Sequence, residues 1–126
     1  MSRGRRGGAI AEDIEFGWPI VKKMAEMDIG QAIVVKEREV IAIEGTAEMI
    51  ERAGRLCKAG RWALLKAAKH KQDMRFDVPC VGPDTIKSLA ANGAKCLVLE
   101  ASRTIIIDKP QTLDLANHKG ICVIGK

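Results

Sequence analysis

The run Lys69-His70-Lys71-Gln72-Asp73-Met74-Arg75-Phe76-Asp77 packs cations and carboxylates into one short stretch with no apolar period of its own. From residue 61 to residue 75 the bases Arg61, Lys66, Lys69, Lys71 and Arg75 face one acid, Asp73. Arginine makes paired bonds to phosphate oxygens and lysine adds a compact charge, so this cluster suits a phosphate cradle; a solvated basic face uses the same residues. Asp73 and Asp77 bracket Arg75. Two carboxylates in an irregular stretch can hold a hydrated magnesium ion that bridges to phosphate, whereas acids beside arginine also form ordinary ion pairs. His70 adjoins the cluster and can move protons near neutral pH, while His118 suits the negative end of a helix dipole. Glu44-Gly45-Thr46 is a second position for an anion, because a strand there gives way to a helix with free backbone N–H groups; a plain cap by Thr46 accounts for it equally.

Other chemistries lack their residues. No second histidine lies near either of the two, and neither GxSxG nor GxxxxGK[ST] occurs. The cysteines Cys57, Cys80, Cys96 and Cys122 form no CxxC pair, which argues for reduced thiols, with Cys96 and Cys122 acting as small core residues. Three of the five net positive charges come from Arg3, Arg5 and Arg6 in a glycine-rich start, and the chain has no tyrosine, two tryptophans and two phenylalanines. Without aromatic platforms, nucleic acid is a poor candidate partner. No apolar run approaches a membrane span and the start has no apolar centre like a signal peptide's, so a cytoplasmic location is expected.

These side chains need a scaffold, and 126 residues with 47% hydrophobic and 29% charged leave room for one core. Ile14, Trp18, Val21, Met24 and Met27 recur at helical spacing from Glu12 to Asp28, with Pro19 marking a start or a kink. Ala32 to Lys36 and Val40 to Ile43 read as a hairpin around Glu37-Arg38-Glu39. A helix from Thr46 to about Lys58 turns Met49, Ile50, Ala53, Leu56 and Cys57 to one face, and Trp62 to Ala68 is a buried strand. A helix opening at Pro83 or Asp84 ends at Asn92-Gly93. Lys95 to Glu100 and Thr104 to Ile107 then read as strands joined at Ser102-Arg103, a second hairpin, with Ile105-Ile106-Ile107 covered on both faces. A last helix from Lys109-Pro110, with Leu113, Leu115 and Ala116 inward, stops at Gly120 before the strand Ile121 to Ile124. Helices between strands predict a single α/β domain, a mixed sheet with helices packed on it, in residues 11–126 behind a basic flexible leader of residues 1–10.

Asp28-Ile29-Gly30-Gln31, Ala42-Ile43-Glu44-Gly45-Thr46, the string Lys71 to Pro79, Val81-Gly82, Glu100-Ala101 and the Thr104 to Asp108 strand, in this order, resemble the UDP-2,3-diacylglucosamine pyrophosphatase family of lipid A biosynthesis, in its two-domain form unrelated to the calcineurin-like phosphoesterases. The resemblance runs from about Ala11 to Gly125 and corresponds to the family's C-terminal domain. It implies hydrolysis of the pyrophosphate of UDP-2,3-diacylglucosamine to UMP and 2,3-diacylglucosamine 1-phosphate, with a divalent metal such as magnesium. Asp77, two residues before Pro79, matches the aspartate important for catalysis, and Arg75 stands beside it. The resemblance thus gives Asp77 a metal-holding or water-orienting role, and Asp73, from its place across Arg75, is the second candidate metal ligand. Lys69 and Lys71 offset phosphate charge in that reading, and Lys69, Lys71 and Gln72, with Glu44, Gly45 and Thr46, are the candidate substrate contacts. Two positions depart from the family: Lys69-His70 replaces its usual lysine-proline, and Ala47 stands where an acid is common.

The resemblance further implies a Rossmann-like N-terminal domain that this sequence does not match, either as the remainder of a longer enzyme or as a separate partner chain. Weak activity alone, self-association and peripheral contact with the inner membrane are the attendant expectations. The competing reading is a non-catalytic module that binds nucleotide sugars or phosphosugars.

Overall fold

A computed structural model describes residues 8–27, 32–43, 47–68, 80–101 and 104–126. Helix α1 (Gly8–Glu26) begins earlier than the apolar spacing predicts and runs through Pro19. Ile10 is already buried with Ile14, Val21, Met24 and Ala25, so the helix includes the end of the expected leader. Pro19 faces solvent, where the carbonyl deprived of its amide partner can take water instead. Met27, expected on the inner face, lies past the helix end and is exposed.

Strands β1 (Ala32–Lys36) and β2 (Glu39–Ile43) form the predicted hairpin. Glu37 and Arg38 carry it with φ of 52° and 57°, the paired left-handed geometry that matches the twist of the flanking strands. Helix α2 (Ala47–Leu56) buries Met49, Ile50 and Ala53, and Cys57 just beyond it. Leu56 is exposed, contrary to the sequence reading, the inward place at that end being taken by Cys57. Next come β3 (Trp62–Lys66), β4 (Cys80–Val81), α3 (Pro83–Ala91), β5 (Ala94–Leu99), β6 (Ile105–Ile106), α4 (Lys109–Lys119) and β7 (Cys122–Gly125).

The main sheet has the order β2-β1-β3-β5-β7, with β1 antiparallel to β2 and β3, and β3, β5 and β7 parallel. The expected second hairpin does not form. Strand β6 leaves the main sheet and pairs in parallel with β4, Cys80 opposite Ile105 and Val81 opposite Ile106. Only Ile106 packs against the core, while Ile105 and Ile107 are about half exposed. A two-residue strand set apart from the main sheet buries little of its own surface among the described residues.

Alternating side chains divide the core into two layers. Val34, Trp62, Leu64, Leu97, Leu99 and Val123 meet α2, α3 and α4, whereas Ile33, Val35, Leu65, Cys96, Val98 and Cys122 meet α1. The result is the predicted α/β domain with a mixed sheet. None of the four cysteines is in a disulfide; three are buried and Cys80 is exposed.

Candidate functional site

The strand register carries several chain ends to one edge of the sheet. Ile43 lies opposite Ile33, Ala32 opposite Lys66, Lys66 opposite Leu99, and Leu99 opposite Gly125. The carboxyl ends of β2, β3, β5 and β7 therefore share an edge with the start of β1. Helices α2, α3 and α4 end beside the opposite edge, where β3, β5 and β7 begin, so their amino ends belong to the carboxyl edge as well. Open α/β sheets bind ligands at the carboxyl ends of their strands, and helix amino ends favour anions.

Glu100, one residue past β5, is a buried charge at this edge, with a side chain 10% exposed. Its Oε1 accepts from Lys22 Nζ of α1 at 3.0 Å and from the Ala68 N–H at 3.1 Å. The sequence reading passed over Glu100 and Lys22 as site residues. The available signal was an acid directly after the apolar run Cys96-Leu97-Val98-Leu99, a place where an unpaired carboxylate is costly.

The nine catalytic, substrate-binding and metal candidates, namely Glu44, Gly45, Thr46, Lys69, Lys71, Gln72, Asp73, Arg75 and Asp77, lie outside the described residues, as does His70. Their described flanks do converge. Ile43 before residues 44–46 and Ala68 before residues 69–79 both stand at the carboxyl edge. One member of the basic cluster does not belong with them: Arg61 precedes β3 at the far edge, a strand length of roughly 16 Å from Lys66. It lines a cavity of about 220 Å³ with Ile10, Asp13, Lys36, Glu37 and Ala59. The buried Asp13 there is already committed, accepting from the Glu37 N–H at 3.2 Å and the Arg38 N–H at 2.7 Å. His118 is exposed in the last turn of α4, in keeping with a helix-end role. Among the described residues no three His, Cys, Asp or Glu side chains gather closely enough to hold a metal ion.

A sequence profile for the LpxI C-terminal domain matches residues 1–124. The chain is 33% identical over 123 residues to the UDP-2,3-diacylglucosamine pyrophosphatase LpxI of Caulobacter vibrioides, a match covering 90% of this chain and 44% of that protein. The chain thus spans less than half the length of the curated relative.

Proposed function

The chain belongs to the LpxI family, as its C-terminal domain, and from that membership we propose that it supplies half of a catalytic unit that hydrolyses UDP-2,3-diacylglucosamine to UMP and 2,3-diacylglucosamine 1-phosphate. The observation that carries this reading is the match along almost the whole chain to a protein named for that activity. The carboxyl edge supports it, since three helix amino ends there favour a diphosphate.

In the proposed reaction a water adds to one phosphorus and the bridging P–O bond breaks. Asp77 orients or deprotonates that water, while Arg75, Lys69 and Lys71 offset the charge gathering on the phosphate oxygens. Gln72 and the Glu44-Gly45-Thr46 junction contact the substrate. A divalent cation such as magnesium, held by Asp77 and Asp73, would add further charge neutralisation; its ligands fall outside the described residues. The second wall of the chamber is the other half of the family's architecture, in the same polypeptide or on a partner. An acylated substrate makes the cytoplasmic face of a membrane the natural place of encounter. Among the described residues no helix is long and apolar enough to cross one.

The test is mass-spectrometric detection of UMP after incubation with substrate and magnesium, with and without the N-terminal half of the Caulobacter relative. UMP release that rises when that half is added, and falls about 100-fold or more in Asp77→Asn, is the expected result. Absence of UMP in both mixtures, or full activity of Asp77→Asn, rejects it. A second reading, a nucleotide-sugar-binding module without turnover, would use the same helix amino ends at the carboxyl edge, and saturable calorimetric binding without product decides for it.

A further inference from the structure

The ladder between β3 and β5 passes from main chain to side chain at Glu100. Its N–H donates to the Lys66 carbonyl at 3.2 Å, the final main-chain rung. In a parallel ladder the next rung would join the Ala68 N–H to the Glu100 carbonyl. Here the Ala68 N–H donates to the Glu100 carboxylate at 3.1 Å, and the Glu100 carbonyl accepts from Thr104 Oγ1 at 2.8 Å. The other side of β5 stays closed: the Lys126 N–H reaches the Leu99 carbonyl at 2.8 Å and the Ala101 N–H reaches the Lys126 carbonyl at 3.1 Å. A side chain thus stands between the exits of two neighbouring parallel strands, on one side only.

A largely buried carboxylate is a costly way to end a strand when a main-chain rung would serve. It is tolerated because Lys22 shares the same oxygen at 3.0 Å and ties the junction to α1. The strand it fixes is the one whose continuation, a residue later, is the Lys69 to Asp77 run.

We propose that Glu100 is a positioning residue for the hydrolysis, working as a latch with Lys22: it sets where β3 ends and how the backbone leaves Ala68. This rests on the proposed function, but the latch has a readout of its own. Errors of about 1 Å in the placement of reacting groups cost up to about 100-fold in rate, so a latch acts on kcat more than on KM.

The experiment compares the wild-type chain with Glu100→Ala and Glu100→Gln, in the presence of the relative's N-terminal half. It measures amide hydrogen exchange at Ala68, kcat and KM for UMP release, and thermal unfolding. In Glu100→Ala, exchange at Ala68 should quicken about tenfold or more. Its kcat should fall about tenfold or more, with KM little changed, at a temperature where it is fully folded. Glu100→Gln keeps an oxygen for the Ala68 amide and should restore most of both. Unchanged exchange at Ala68, an unchanged kcat, or a glutamine variant no better than alanine overturns the proposal. Should Glu100→Ala fail to fold, Glu100→Asp, one methylene short of Ala68, carries the same comparison. If the wild-type chain releases no UMP, the pyrophosphatase reading falls by itself, and Ala68 exchange still accepts or rejects the latch.

Discussion

Asp13 and Glu100 are the two buried carboxylates among the described residues, and they mark opposite edges of the sheet. Asp13 serves architecture. Its oxygens hold the amides of Glu37 and Arg38, two side-chain-bearing residues in left-handed geometry. Asp13→Ala should therefore cost about 1–3 kcal/mol, because two amides lose their acceptor, and urea denaturation would show it. UMP release per folded molecule should stay at the wild-type level, since the hairpin turn is a strand length from the carboxyl edge. Neither role was legible in the sequence. Both acids act on backbone amides 24 to 32 residues away, and no residue type announces such a partner. The cysteines were legible, because a thiol inside an apolar strand has few alternatives to packing.

Elements with a strong period were read correctly, and short ones were not. Helix α3 carries apolar residues in phase, and strands β1, β3, β5 and β7 are apolar runs buried on both faces, which fixes their type; α4 has no such period, and Thr112 and Ala116 are its buried residues while the expected Leu113 and Leu115 are half-buried. Strand β6 has two residues, too few for a period to show whether it joins β5 or β4, and so the expected hairpin was wrong. In α1 the proline outweighed a period that in fact continued through it. An exposed proline in a helix interior has a direct consequence: Pro19→Ala restores an N–H to the helix ladder and removes a steric conflict. It should raise stability by about 1–3 kcal/mol, read as a higher urea midpoint with an unchanged slope.

Across the whole molecule, one sheet serves two cores that share every strand but no side chain. Leu65 faces α1, and Leu89 of α3 lies under the other layer, both fully buried. Leu65→Ala and Leu89→Ala should each cost about 2–5 kcal/mol, add when combined, and leave a single cooperative transition by circular dichroism and fluorescence. Two separate transitions would mean the layers unfold independently. The uneven distribution of thiols has a practical side. Three are sealed between sheet and helices, and Cys80 opens on solvent directly after residues 69–79. A maleimide dye applied to the native protein would attach at that single address, giving a spectroscopic reporter beside the proposed chemistry without any engineered cysteine.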